Sequence, residues 1–125
     1  MIIGIGTDII KISRIQRLIA QKDAISMLLT VKEQQSKKSI RSIAGIFAVK
    51  EALLKALGIG FSMGLGRLLE IEVLHEKSGK PYVITSGVVN RIKEQKRINS
   101  IQISISHEAE YAVAVVICEE CVYLN

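Results

Sequence analysis

The stretch SIRSIAGIFAVKEALLKALG, Ser39 to Gly58, constrains this chain more than any other. Apolar residues recur at Ile40, Ile43, Ala44, Phe47, Ala48, Leu54 and Leu57, the spacing of one broad helical face. Gly58 supplies a C-terminal stop. A helix this apolar has to be covered, and both ends of the chain offer sheet to do it. Residues 2–10 are Ile-rich and read as a buried strand, with Gly4 and Gly6 allowing close backbone approach. Ile101 to His107 alternates apolar with polar in period two, and Tyr111 to Cys118 is almost wholly apolar, as a central strand would be. Glu108, Ala109 and Glu110 between them predict a tight antiparallel hairpin.

The remaining segments fill in around this frame. Ser13 can cap a helix with Ile15, Leu18 and Ile19 on one side and Lys11, Arg14, Arg17 and Lys22 on or near the other. Residues 24–38 read as a short helical piece, then a helix opened by Thr30 with Glu33 three residues on, a capping box. Four glycines in the nine residues Gly58 to Gly66 predict a loop. Leu68 to Leu74 reads as a strand, with Glu70 and Glu72 alternating against Leu69, Ile71 and Val73. Lys77 to Pro81 is a turn, Tyr82 to Thr85 a short strand, and Ser86 can cap a helix to about Ile98. No repeat, linker or low-complexity tract interrupts the pattern. At 125 residues the chain suits one core. The expected fold class is α+β, a small antiparallel sheet packed with helices, one domain over residues 1–125.

Charge is uneven. The net charge is +5, but residues 1–55 carry ten Lys/Arg against four Asp/Glu, whereas residues 56–125 carry seven against eight. A basic half suits an acidic partner or a phosphorylated ligand, with a merely solvated surface as the bland alternative. An RNA-binding module would need exposed aromatics, and two Phe and three Tyr in apolar contexts offer little, so no nucleic acid is expected. No apolar run reaches the length of a membrane span and no signal peptide is recognisable, which predicts a soluble cytoplasmic protein without a membrane role. Cys118 and Cys121 have C-x-x-C spacing without a second pair, and read as incidental.

Asp8 is the odd residue of the first strand. A carboxylate in an apolar strand costs several kcal/mol unless it is paired, hydrogen-bonded or metal-bound. Glu51 is a second carboxylate in an apolar setting, and Lys55 follows it at i+4 on the same helix face, where an ordinary exposed ion pair is the alternative. Lys50 lies about 100° away around the helix and belongs to another face. His107 ends a strand beside a turn, as a ligand contact or a partly exposed side chain. Two carboxylates, a lysine, a glycine-rich loop and a basic helix are compatible with Mg²⁺ and a polyphosphate, with Gly4 and Gly6 leaving room around Asp8. GIGTD is neither a Walker loop nor a dinucleotide fingerprint.

Three blocks carry a resemblance. IIGIGTDIIKISRI (residues 2–15), AGIFAVKEALLKALGIG (residues 44–60), and GKPY (residues 79–82) followed by ISISHEAEYAVAVVI (residues 103–117) together resemble the holo-acyl-carrier-protein synthases, short single-domain 4′-phosphopantetheinyl transferases. The resemblance implies Mg²⁺-dependent transfer of 4′-phosphopantetheine from coenzyme A to a serine of apo acyl carrier protein, releasing adenosine 3′,5′-bisphosphate, in support of fatty acid biosynthesis. It implies Asp8 and Glu51 as metal ligands, and Lys55 and Glu51 as the catalytic residues. The general base stays open between Glu51, Lys55 and a metal-bound water. Lys55, Gly58, Gly60, Lys80, Pro81 and His107 would face coenzyme A, and Arg14, Arg17 and Lys22 the acidic carrier protein. It implies a homotrimer with active sites between subunits. Two positions depart from the family: Ile46 and Met27 stand where arginines are usual. They leave open a relative that keeps the fold without the activity.

Overall fold

The computed structural model describes residues 1–36, 39–60 and 65–122, without the side chain of Leu65. Lys37, Lys38 and residues 61–64 of the glycine-rich loop lie outside the described residues. Strand β1 (Ile2–Lys11) leads into α1 (Ile12–Ile19), α2 (Ala24–Leu28), α3 (Val31–Gln35) and the long α4 (Ile40–Ala56). A 3-10 helix (Leu65–Glu70) precedes β2 (Ile71–His75) and β3 (Pro81–Thr85), and α5 (Gly87–Gln95), β4 (Ser100–His107) and β5 (Tyr111–Glu119) follow. β1, β5 and β4 form an antiparallel sheet with β5 in the middle, as its apolar run predicts, while β2 and β3 pair separately.

Small residues bring α4 onto the sheet. On the inner face, Gly6 lies opposite Val116, Asp8 opposite Ala114 and Ile10 opposite Ala112. A Cβ on Gly6 would run into the carbonyl of Ala52, and one on Gly4 into that of Ala56. The two glycines therefore make room for the helix backbone, not for a ligand around Asp8. Beyond its first turn α4 is buried everywhere except at Phe47, Glu51 and Lys55, one seam at i, i+4 and i+8. It ends as the sequence predicts: Gly58 has φ +73, its N–H reaches the Lys55 carbonyl at 3.0 Å, and the Ile59 N–H reaches that of Leu54 at 2.9 Å.

β1 is not the fully buried strand its composition suggests. Ile5 and Ile9 are 61% and 64% exposed on the outer face of the sheet, where they lie opposite half-buried Ile117 and Val113 of β5. The single-chain fold leaves this apolar face uncovered.

Three local expectations need correction. α1 starts from Lys11 without a side-chain cap, so Ser13 lies inside the helix. Leu68, Leu69 and Glu70 belong to the 3-10 helix rather than to a strand, which starts at Ile71. α5 stops at Gln95, and Ser86 gives it no side-chain cap. Glu70 caps it instead. Its carboxylate accepts from the Val88 N–H at 3.1 Å and from Arg67 Nη1 at 2.6 Å. Gly87, at φ +58, leaves it space: a Cβ there would lie 2.7 Å from Glu70 Oε1. Burial works against ionisation of Glu70, but the Arg67 hydrogen bond and the Val88 and Val89 amides outweigh it and hold the carboxyl below its ordinary value.

Candidate active site

The register of β1 on α4 brings Asp8, Glu51 and Lys55 together. Lys55 Nζ donates to the Thr7 carbonyl at 2.9 Å and lies 3.4 Å from Asp8 Oδ1. Its ion-pair partner is thus Asp8 across the fold rather than Glu51 one turn back. The Asp8 side chain is 16% exposed and that of Lys55 52%. Thr7, Asp8, Ile9, Lys55 and Val113 line an open concavity of about 370 Å³.

Electrostatics mark the two carboxylates. Burial raises the Asp8 carboxyl above its ordinary value, with Lys55 and then Arg14 working against the rise. Burial also raises Glu51, and the negative charge of Asp8 adds to that rise, while Lys55 and Arg14 oppose it. Two partly buried carboxylates that feel each other form a site that gains from a cation. Among the described residues no group of three or more His, Cys, Asp and Glu could hold a metal ion. The donor set is then two carboxylates, which suits Mg²⁺ completed by phosphate oxygens and water. It does not suit zinc, and Cys118 and Cys121 are free thiols.

The other expected site residues are spread over several elements. Arg14, Arg17 and Lys22 are exposed along and just beyond α1, which leaves β1 three residues after Asp8. Arg14 is near enough for its charge to reach both carboxylates. Gly58 and Gly60 follow the end of α4, with open space where a Cβ would stand. Lys80 lies in the β2–β3 turn, where Gly79 has φ +92, and Pro81 opens β3. His107 packs on the first half of α4, its Nε2 2.9 Å from where a Cβ of Gly45 would be. Among the described residues no hydrogen bond or ion pair joins Lys80 or His107 to Asp8, Glu51 or Lys55. Ile46, 1% exposed, belongs to the core, and Met27 is 55% exposed on α2. Neither departure touches the carboxylate pair.

One cluster escaped the sequence reading. Lys50 and Glu33 are both fully buried and form a 2.7 Å ion pair. Burial pulls the Lys50 ammonium below its ordinary value, against the hydrogen bond and charge of Glu33 and the charge of Glu72. The signal was available: on a helix, Lys50 stands among Ile43, Ile46, Leu53, Leu54 and Leu57, all apolar, which demands an anion.

Asp8 on β1 thus lies beside Glu51 and Lys55 of α4, within reach of the charge of Arg14 on the basic helix α1. The model of the 4′-phosphopantetheinyl transferase superfamily matches residues 4–116, and the chain belongs to that superfamily. It is an enzyme, and its reaction is that of the family, transfer of 4′-phosphopantetheine. It is 42% identical over 124 residues to a holo-[acyl-carrier-protein] synthase of Hamiltonella defensa, covering 94% of this chain and 98% of that protein. The crystal structure of the holo-[acyl-carrier-protein] synthase of Neisseria meningitidis superposes with TM-score 0.83 at 32% identity, over 95% of this chain and 99% of that one. A synthase from Bacillus anthracis, solved in complex with CoA (3′,5′-ADP), gives TM-score 0.77 at 35% identity, over 97% and 99% of the two chains. The α+β fold is therefore that of the holo-[acyl-carrier-protein] synthases. Among the described residues no helix is long and apolar enough to cross a membrane.

Proposed function

We propose that this chain is a Mg²⁺-dependent holo-[acyl-carrier-protein] synthase that moves 4′-phosphopantetheine from coenzyme A to a serine of apo acyl carrier protein. The observation that carries the reading is Asp8, Glu51 and Lys55 gathered at one partly buried spot. Asp8 and Glu51 would hold Mg²⁺, which supplies charge neutralisation for a diphosphate. Lys55 lies beside them with half its side chain open to solvent, able to leave Asp8 for a phosphate oxygen. The carrier serine oxygen forms a bond to the β-phosphorus as the bond to the departing adenosine 3′,5′-bisphosphate breaks, and the serine proton leaves to a base. Glu51 and Lys55 are the proton-handling side chains at this spot. Arg14, Arg17 and Lys22 form the basic approach for an acidic carrier protein.

The uncovered apolar face of the three-stranded sheet supports a homotrimer. In that assembly coenzyme A would lie between neighbouring subunits. The apolar outer face of Ile5, Ile9, Val113, Val115 and Ile117 is the surface to be covered. The reaction would take place in the cytoplasm, where carrier protein and coenzyme A meet in fatty acid biosynthesis.

The test incubates the protein with coenzyme A, Mg²⁺ and apo carrier protein and reads the intact mass of the carrier. A gain of one phosphopantetheine is expected. No gain with several carriers overturns the reading.

A further inference from the structure

The buried charge pair on the far side of α4 has no part in the chemistry described so far. Lys50 Nζ donates to Glu33 Oε1 and to the Leu28 carbonyl, both at 2.7 Å. Glu33 Oε1 also accepts from the Thr30 N–H at 2.8 Å, and Oε2 accepts from the Val73 N–H at 2.7 Å. Thr30 Oγ1 accepts from the Glu33 N–H at 3.2 Å and donates to Glu72 Oε2 at 2.6 Å. One lysine therefore ties α4 to the end of α2, the start of α3 and strand β2. Both carboxylate oxygens of Glu33 are satisfied, with 0% of either side chain exposed.

The placement on the helix gives the pair its significance. With 3.6 residues per turn, Glu51 stands about 100° and Lys55 about 140° around the axis from Lys50. The rest of α4 is apolar on nearly every side, with Ala44, Ala48, Ala52 and Ala56 at every fourth position. Gly4 and Gly6 seat one side of the helix closely on the sheet, and the hydrogen-bonded ion pair adds a directional constraint on another side. A turn of the helix would break the pair and swing Glu51 and Lys55 away from Asp8.

We propose that Glu33 and Lys50 are positioning residues for the transfer reaction, fixing the rotation of α4 that presents Glu51 and Lys55 to Asp8. The proposal rests on the transferase reading above. It uses buried charge for geometry, because a well-packed neutral pair would give equal or greater stability.

The test is the double variant E33Q/K50M, which removes both charges and nearly keeps both volumes. Three quantities are measured: the thermal midpoint, kcat and KM for coenzyme A at saturating Mg²⁺, and Mn²⁺ affinity by electron paramagnetic resonance without substrate. The expected result is a cooperatively folded protein with KM within about twofold, kcat down about 10²-fold and Mn²⁺ affinity down about tenfold. A purely structural role would move the midpoint and leave the kcat of the folded protein alone. A folded double variant with kcat and Mn²⁺ affinity within about twofold of the unaltered chain overturns the proposal. If E33Q/K50M does not fold, Thr30→Val loosens Glu33 without removing it. Its kcat should then fall by several-fold at a temperature where it is fully folded, and an unchanged kcat overturns the proposal equally. If the unaltered chain transfers nothing, the functional reading fails, and the Mn²⁺ isotherms alone decide on the pair.

Discussion

Gly6→Ala tests the contact that builds the site. Gly6 faces α4 so closely that an added Cβ would lie 2.8 Å from the Ala52 carbonyl carbon and 2.9 Å from the Ala56 nitrogen, and nearer still to the Ala52 oxygen. All of these are backbone atoms, so no side chain can swing aside. Ordinary contact begins near 3.4 Å, so the helix has to back off. Relieving the oxygen clash takes a displacement of well over 1 Å. Overpacking a core costs about 1–3 kcal/mol, and a rigid backbone neighbour puts this case at the upper end. For a chain of this size, that lowers the thermal midpoint by about 10 °C. The displaced helix carries Glu51 and Lys55, and a 1 Å misplacement of catalytic groups lowers kcat by about 10²-fold. Calorimetry and the carrier mass assay read the two effects. Gly60→Ala is the control: nothing stands near its added Cβ, so stability should stay within about 0.5 kcal/mol. A Gly6→Ala protein with kcat within about twofold and a midpoint within about 1 °C of the unaltered chain would refute the argument.

Further expectations follow from the same geometry. Glu51→Gln should lower Mg²⁺-dependent turnover by at least about 10²-fold, yet raise the metal-free thermal midpoint by removing a carboxylate that burial and Asp8 disfavour. The raised carboxyls of Asp8 and Glu51 give two pH slopes of opposite sign. Their neutral forms favour the metal-free fold at low pH, and that contribution is lost as pH rises through the raised values. Mg²⁺ affinity, followed by titration calorimetry, should grow over the same window, which lies above the ordinary 3.8 and 4.5. Glu70→Gln should cost about 1–2 kcal/mol at neutral pH in chemical denaturation. The lowered carboxyl contributes stability above 4.5, lost as pH falls through its folded value, so the cost should shrink in acid. Ile5→Glu, on the exposed sheet face, should leave a folded monomer in sedimentation and abolish transfer, and a trimer with full activity would remove that face from the interface.

Local pattern made part of this molecule legible. The Thr30–Glu33 capping box is present, with both reciprocal hydrogen bonds. The Gly58 stop and the β4–β5 hairpin also stand where their residues place them. These features depend on neighbours within a few positions. Glu70 misled for the opposite reason. Its alternation with Leu69 and Ile71 fits a strand, but its partners are Arg67 and the first amides of α5, eighteen residues on. Gly4 and Gly6 announced a close approach without saying to what, because the partner is the backbone of α4. Asp8 and Glu51 were nameable from the resemblance and from their apolar settings. That Lys55 pairs with Asp8 rather than Glu51 depends on the register of strand against helix, which no spacing encodes.

The two thiols, incidental to catalysis, differ sharply in reactivity. Cys118 is fully buried, and burial pushes its thiol up to about 11 against a weaker opposing charge from Lys93. Only about one molecule in a thousand would carry the thiolate there at pH 8, and access is closed as well. Cys121 lies just past β5, partly open to solvent. Its backbone is clasped by Asn99, which donates to its carbonyl and accepts from its N–H, both at 2.7 Å. A maleimide at neutral pH should therefore attach at Cys121 alone. The unaltered sequence thus provides one addressable point, on a backbone held in register with the sheet, from which a fluorophore or spin label can report assembly and ligand arrival without an engineered cysteine.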